Sequence, residues 1–455
     1  MLLFAAAAVF SLASPVAHAV SYDPSTTIIV LVHGFDPDGY LRTGVFGTDE
    51  TDSGVLDDVN TIANTLGLPT WQTNPTAPNH VAGSSYYGDT APAWYTSTDI
   101  AEDNAAPAVL PRYALRMAKY IKHCLNRAPG ATAVNVVAGS FGADVTRYMI
   151  EHNLCNLCSD GKIARWNTIV GVVRGNWAAT NAPSWLASLF GIDSPDIDYM
   201  DYNWISANVS ANTTMNSAYY GPMIITNFIA TDDTDGYLTA LNNNANDSTN
   251  MVTDEYFAGY TTTAALHAAT NGTLQMPGIS YQHCEHSDIV DETGMWAGLG
   301  AASQNNKRVT IKVSRVKALS TGDSWIQGNG EWVFGFTAAS PRAATLYGVT
   351  NPMTDIRYSD GVMPLISIAK NATKYPNTVV FDQIVPAGET QLNVSFLIEE
   401  LDYHAQFYSI YENIFGDNKV LSSWNTSIST TTPGTVTLSS SYAQADLTTT
   451  ITTVY

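Results

Sequence analysis

The stretch Val134-Asn135-Val136-Val137-Ala138-Gly139-Ser140-Phe141-Gly142-Ala143-Asp144 decides the fold class. Its first half is a short apolar run rich in β-branched residues, which is typical of a strand buried on both faces. A turn of small residues with Ser140 at its tip follows. The spacing of Val145, Met149 and Ile150 then predicts a helix. A strand, a sharp turn and a helix would place the serine at the end of a sheet, facing the helix N-terminus.

The same segment matches the nucleophile-elbow pattern G-x-S-x-G, with Ala138 in place of the first glycine. Alanine is small enough for strand and helix to pass closely, so Ser140 is a candidate nucleophile. The alternative is an ordinary Gly/Ser turn at the end of a buried strand.

Composition indicates a well-buried globular protein with room for two domains. Of its 455 residues, 45% are hydrophobic and 13% are charged, and the formal net charge is −21. This charge argues against nucleic acid and anionic membrane surfaces as partners. Residues 303–455 contain 10 basic and 12 acidic side chains, whereas the first 302 residues contain 10 and 29. The two parts therefore have the character of different domains.

Residues 1–19 are predicted to be a secretory signal peptide. Leu2–Leu12 is apolar, and Ala17-His18-Ala19 is an A-x-A cleavage site. The apolar run is too short to span a bilayer and no later stretch is long enough, so no transmembrane helix is predicted. We expect a secreted protein, with the periplasm as the alternative location.

Four cysteines fit the oxidising compartment that a signal peptide implies. They are Cys124, Cys155, Cys158 and Cys284, and three disulfide pairings are possible. A zinc site from the CxxC pair and nearby histidines is the alternative, but a second CxxC or a spaced histidine pair is missing. Disulfides are therefore preferred, and no cofactor or metal is predicted.

Alternating strand and helix patterns predict a mostly parallel α/β sheet for residues 20–302. Residues 174–221 are irregular and follow a strand beside the serine, which makes them a possible lid. After residue 303 the pattern changes to short alternating runs between turns, such as Val309–Val313 and Leu392–Leu397. These runs predict an all-β, sandwich-like domain over residues 303–455.

A serine nucleophile needs an imidazole base and a carboxylate that orients the imidazole. His267, His283 and His286 follow the serine near the end of the α/β part. His286 is favoured over His283 because apolar residues directly behind it, including Ile289, can pack the loop. The alternative for both is a surface or helix-cap histidine.

The carboxylate is predicted to follow the strand Met223–Ile229, in a loop that holds three aspartates. Asp235 is the first choice because Leu238, three residues later, can pack on the sheet. Asp233 is the alternative because it lies at the more usual distance from the strand end. A structural calcium ion is another use for these carboxylates, but their spacing is not that of an EF-hand loop.

Together these motifs resemble the α/β-hydrolase fold and, within it, the secreted bacterial lipases and esterases. The matching segments are Val32-His33-Gly34-Phe35, Ala138-Gly139-Ser140-Phe141-Gly142, the Asp233/Asp235 loop and His286. Most of the family has histidine before the serine, where this chain has Gly139, so the subgroup stays open. The resemblance covers residues 27–300. It implies an oxyanion hole formed by the backbone N–H groups of Phe35 and Phe141.

The sequence therefore predicts a secreted serine hydrolase that cleaves carboxylic esters, with an ester or lipid as its substrate. One alternative is an extracellular polyester depolymerase whose β domain binds a solid surface through Trp325 and Trp332. The other is a non-catalytic binding protein on a hydrolase scaffold. The oligomeric state stays open.

Overall fold

The structure is a computed structural model that describes residues 22–35, 43–48, 53–189, 195–209, 217–220, 223–231, 238, 241–242, 244, 246–256, 279–282, 284–291, 293–320, 330–340, 346–350, 366–400 and 419–454. The predicted signal peptide, Asp233, Asp235, His283 and Trp325 lie outside these residues.

The α/β part contains strands and helices in alternation. Its strands are β1 (Thr27–Val32), β2 (Val81–Ser84), β3 (Ala133–Gly139), β4 (Ile163–Ile169), β5 (Ile224–Thr231) and β6 (Ile279–Gln282). Its helices are α1 (Ser53–Leu66), α2 (Ser97–Ala105), α3 (Leu110–Arg127), α4 (Phe141–Glu151), α5 (Trp177–Asn181), α6 (Pro183–Leu189), α7 (Asp196–Tyr199), α8 (Tyr202–Asn208), α9 (Ser217–Tyr220) and α10 (Thr293–Ala302).

The six strands form one parallel sheet in the order β2-β1-β3-β4-β5-β6. Helices α3 and α4 pack on one face, and α1 and α10 pack on the other. This double cover explains why β1 is apolar and buried along its whole length. The predicted α/β class with flanking helices is confirmed.

Strands β1 and β3 are neighbours, and Val32 is paired with Ala138. The loop after β1 and the turn after β3 therefore leave the sheet side by side. Because carboxyl ends of parallel strands meet at one edge, this edge is where a site would form.

The remaining strands form two antiparallel sheets. They are β7 (Asn306–Ala318), β8 (Gly330–Ala339), β9 (Leu346–Thr350), β10 (Ile366–Ile368), β11 (Thr373–Lys374), β12 (Thr378–Pro386), β13 (Gln391–Glu400), β14 (Lys419–Ser429), β15 (Gly434–Ser439) and β16 (Ala443–Val454). One sheet has the order β10-β8-β13-β14 with β9 beside β8, and the other has the order β11-β7-β16-β15 with β12 beside β7.

A common apolar core joins the two antiparallel sheets. Ile311 and Leu447 from one sheet and Phe336 and Phe396 from the other belong to the same buried cluster. The alternation predicted for this region thus buries one face of each strand, and the sandwich-like C-terminal architecture is confirmed.

Helix α10 packs between the two parts. Met295 and Leu299 contribute to the core of the parallel sheet, and Ala297 contributes to the core of the sandwich. Ile384 of β12 in turn belongs to the cluster of the parallel sheet. The predicted boundary at residue 303 lies in the short connection between α10 and β7.

The predicted disulfides are corrected by the structure. None of Cys124, Cys155, Cys158 and Cys284 is joined in a disulfide, and three of the four are buried. Burial raises the pKa of Cys158 to about 12. Its thiol is therefore held in the protonated form, which is not the reactive one.

Candidate active site

Ser140 lies at a strained turn between β3 and α4. Its φ and ψ angles are 45° and −124°, a backbone conformation that residues other than glycine rarely adopt. Its N–H donates to the carbonyl of Ile169, and its carbonyl accepts from the N–H of Val172. Such conformations persist where the surroundings over-determine them, and they concentrate at functional sites.

The loop after β1 lies directly against this turn. A Cβ on Gly34 would stand 2.9 Å from the Ser140 Cβ, and a Cβ on Gly142 would stand 2.4 Å from the His33 carbonyl oxygen. Both positions therefore require glycine for the approach of loop and turn. Glycine at 142 is the part of the elbow pattern that this packing demands.

Buried tyrosines contact the same loop through a hydrogen bond and ring stacking. The Tyr86 hydroxyl donates to the Gly34 carbonyl oxygen at 2.7 Å, and its ring stacks on His33 with centroids 4.4 Å apart. Tyr86 and Tyr87 are 0% and 1% exposed. The aromatic segment around residue 86 thus supports the loop and does not line an open cleft with these two rings.

His286 lies beside the serine. Its Nε2 is 2.9 Å from the Ser140 Oγ. Its Nδ1 is 2.5 Å from Oδ2 of Asp247, and its backbone N–H donates to the Asp247 carbonyl oxygen at 2.8 Å. A hydroxyl, an imidazole and a carboxylate thus follow each other at hydrogen-bond distances, an arrangement that can activate the hydroxyl as a nucleophile.

Of the residues chosen from the sequence, the structure brings Ser140 and His286 together. The carboxylate on the histidine is Asp247, which the sequence reasoning missed, while Asp233 and Asp235 lie outside the described residues. The sequence signal that could have identified Asp247 was weak. Asp247 lies in a run of Asn, Ser and Thr typical of a side-chain-bonded turn, 16 residues beyond the end of β5.

That turn holds the carboxylate firmly. Oδ1 of Asp247 accepts hydrogen bonds from the backbone N–H groups of Thr249 and Asn250, at 2.9 and 2.5 Å. Ser248, which directly follows Asp247, has a φ of 75°. The Asp247 side chain is 0% exposed and the His286 side chain 18% exposed. The carboxylate is therefore enclosed, and the imidazole lies at the surface of the site.

Two further carboxyl groups follow Asp247 in the sequence. Asp254 and Glu255 are both fully buried. Burial raises the pKa of Asp254 to about 7. Burial, and then the charge of Asp247, hold the pKa of Glu255 well above its usual range. Burial and the charge of Asp247 therefore both disfavour a second negative charge on Glu255.

The two N–H groups expected to form an oxyanion hole start from segments that border Ser140. Phe141 is the first residue of α4, where N–H groups have no partner within the helix. Phe35 directly follows Gly34, whose backbone approaches the serine. An anion beside Ser140 would face both segments and the N-terminus of α4.

The described part of the chain has neither a metal-binding cluster nor a membrane-spanning helix. No three His, Cys, Asp or Glu side chains come together there in a way that could hold a metal ion. Within the same residues, no helix is long and apolar enough to cross a membrane. The aspartates of the calcium alternative lie outside these residues.

Comparison with known proteins gives similar structures but no sequence family. No protein-family model and no curated protein matches the chain. A lipase from Bacillus licheniformis is 13% identical, over 60% of this chain and 91% of its own, with a TM-score of 0.33. A carboxyl esterase from the fungus Tuber melanosporum is 10% identical, over 62% and 77%, with a TM-score of 0.33. A human cytosolic phospholipase A2 is 9% identical over 32% of this chain and only 17% of its own, with a TM-score of 0.21.

Identities and TM-scores this low carry no argument about activity. The class rests on the chain itself: a parallel sheet with β3 central, a serine at the strand–helix turn, and a carboxylate and a histidine later in the sequence. These features define an α/β-hydrolase architecture.

Proposed function

We propose that the protein is a serine hydrolase of carboxylic esters, with Ser140 as nucleophile, His286 as base and Asp247 as the carboxylate that orients the histidine. One observation carries the proposal, the continuous contact from the Ser140 Oγ through both ring nitrogens of His286 to Asp247. The strained turn that presents the serine supports it.

The proposed reaction follows from this geometry. His286 Nε2 takes the proton of Ser140 as Oγ attacks the ester carbonyl carbon. The N–H groups of Phe35 and Phe141 stabilise the oxyanion, and losing one such donor costs about 3–4 kcal/mol in known hydrolases. His286 then gives its proton to the leaving alkoxide, which departs and leaves an acyl-serine. Water, activated by the same imidazole, releases the acid and restores the serine.

Export from the cytoplasm is part of the proposal. It rests on the apolar Leu2–Leu12 run and the Ala17-His18-Ala19 site. The N-terminal sequence of protein recovered from the culture medium tests it, and we expect a start near Val20.

A fluorophosphonate probe and p-nitrophenyl butyrate test the catalytic proposal. We expect covalent labelling of Ser140 and ester turnover in the wild type. Ser140→Ala should stay folded, with neither labelling nor turnover, because no other hydroxyl lies against His286 Nε2 in the described structure. Full turnover in Ser140→Ala would exclude Ser140 as nucleophile. A folded wild type without labelling would favour the non-catalytic binding protein.

The depolymerase alternative receives no support from its aromatic candidates. Trp332 is 0% exposed and belongs to the core of the sandwich, so it cannot contact a solid surface. Trp325 lies outside the described residues. We therefore propose an ester hydrolase without assigning a surface-binding role to the β domain.

A further inference from the structure

A buried asparagine joins the three segments that form the site. Asn250 is 0% exposed and lies in the turn that carries Asp247. Its Nδ2 donates to the Val170 carbonyl oxygen at 3.0 Å and lies 3.3 Å from Nδ1 of His286. Its Oδ1 accepts a hydrogen bond from Nδ2 of Asn176 at 2.7 Å. One amide thus contacts the strand end beside the serine, the histidine and the segment that begins α5.

The contact with Val170 reaches the nucleophile turn. Val170 has a φ of 42°, which is a genuine outlier for a β-branched residue. The residues around it, Ile169 and Val172, exchange backbone hydrogen bonds with Ser140. A conformation of this kind costs on the order of 1–3 kcal/mol and needs partners that hold it. The Asn250 amide is one such partner.

The contact with Asn176 reaches the N-terminus of α5. Oδ1 of Asn176 accepts from the N–H of Ala179 at 2.9 Å and so caps α5. Its Nδ2 donates to the Thr249 carbonyl oxygen at 3.0 Å as well as to Asn250. Asn176 is 1% exposed. The start of α5 is therefore joined to the Asp247 turn by buried hydrogen bonds.

We propose that Asn250 is a positioning residue, whose side chain sets the Asp247–His286 pair relative to Ser140. The inference rests on the proposed hydrolase function. An asparagine amide suits this position, because its Nδ2 donates to the Val170 carbonyl oxygen while its Oδ1 accepts from Asn176. Aspartate at this position would keep the acceptor, lose the donor and add a carboxylate beside the imidazole.

The substitution Asn250→Asp tests this role by kinetics. We expect kcat for p-nitrophenyl butyrate to fall about 10–100-fold with KM within about twofold, because displaced reacting groups lower the rate more than binding. We also expect the acid limb of the kcat/KM profile to move up by about one pH unit or more, because a nearby carboxylate favours the imidazolium. Asp247 and His286 are the titratable groups in contact with residue 250, and Glu255, Asp254, Tyr202 and Arg174 interact further along the same network.

The matched control is Asn135→Asp. Asn135 is also a fully buried asparagine, on the nucleophile strand but away from its carboxyl end. Its amide donates to the Ser303 Oγ at 2.9 Å and accepts from Asn167 at 2.6 Å. We expect a lower Tm, with kcat and the acid limb of the wild type.

A second readout works without turnover. The NMR titration midpoint of the His286 ring should rise in Asn250→Asp and not in Asn135→Asp. If Asn250→Asp does not fold, Asn176→Ala removes the partner of its Oδ1 and should lower kcat in the same direction. Wild-type kcat and midpoint in folded variants would overturn the positioning role. Absent ester turnover and labelling in the wild type would instead overturn the proposed function, and the NMR result would still decide the position of His286.

Discussion

Buried polar clusters lie at both ends of strands β3 and β4, and they differ in backbone strain and in access to solvent. Toward the amino ends, the Arg165 guanidinium stacks on the ring of Tyr22 at 3.8 Å and donates to the Ala302 carbonyl oxygen. Asn135 donates to Ser303 in the same region. These bonds join the sheet to the start of the connection that leads into the sandwich. This amino-end cluster therefore has a structural role, which is to hold the connection between the parallel sheet and the sandwich.

At the carboxyl ends, the cluster holds strained backbone as well as polar groups. Ser140 and Val170 both have positive φ, whereas the described residues of the amino-end cluster have none. One member, His286, also lies partly open to solvent. Burial of polar groups alone thus does not mark a site, since both ends have it. Strain combined with an accessible titratable group distinguishes the candidate active site.

The largest expected effect belongs to Asp247→Asn. Asparagine cannot hold the imidazole in the required tautomer or stabilise the imidazolium, so kcat should fall by roughly 10⁴-fold. Turnover of p-nitrophenyl butyrate measures it. Asp233→Asn and Asp235→Asn are the controls and should each cost far less. A greater loss in Asp235→Asn would return the role of the carboxylate to the loop chosen from the sequence.

A smaller loss is expected from Gly34→Ala. The added Cβ would stand 2.9 Å from the Ser140 Cβ and 3.5 Å from the Gly139 carbonyl oxygen, so the loop or the turn must move. Displacement of about 1 Å at a reacting centre can cost about 100-fold in rate, and we expect kcat/KM to fall on that scale. Gly434→Ala is the matched control, because a Cβ there meets nothing within 4 Å. Equal kcat/KM in both variants would contradict the close approach.

A third effect concerns stability instead of catalysis, namely its pH dependence at the carboxyl end. The pKa of Asp254 is raised by burial to about 7, above its value in the unfolded chain. Between pH 4 and 7 the folded protein therefore binds a proton that the unfolded chain has lost. This group makes the free energy of unfolding fall as pH rises through that window, by at most about 1.4 kcal/mol per pH unit.

Asp254→Asn should remove this decline. The Tm of the variant relative to the wild type should increase from pH 5 to pH 7 and then level off. The exposed Asp160 supplies a control, since Asp160→Asn should follow the wild type. At the amino end, burial lowers the pKa of Arg165 to about 10 and raises that of Tyr22 to about 12, so neither contributes in this window. If the Tm of Asp254→Asn changed with pH in parallel with that of the wild type, the raised pKa of Asp254 would be contradicted.

Much of the fold was predictable because its signals are local. Continuous apolar runs predicted the buried strands, and the spacing of Val145, Met149 and Ile150 predicted helix α4 after the serine. Ser140 was predictable because the elbow needs small residues at fixed positions around the serine. His286 was predictable from its place after the serine and from the apolar residues behind it.

The disulfides and Trp332 were not predictable in the same way. Cysteine count and a signal peptide indicate an oxidising compartment, but pairing requires thiols to meet in space, and the structure joins none. Trp332 shares one face of its strand with Phe334 and Phe336, but the strand sequence does not say whether a second sheet covers that face. Only the packing of the second sheet decides that this ring is 0% exposed.

The sequence by itself determined the strand–turn–helix unit around Ser140, the order of the chemical groups and the change from α/β to all-β structure. These depend on backbone periodicity and side-chain size over a few neighbouring residues. Only the tertiary structure decided which carboxylate meets His286. Asp247 and His286 are 39 residues apart, and their contact depends on two loops folding back over the same end of the sheet. No local sequence pattern encodes a contact over that separation, so several aspartates were equally good candidates from the sequence. In the structure, the buried contact between Asn250 and Val170 holds the turn that carries Asp247.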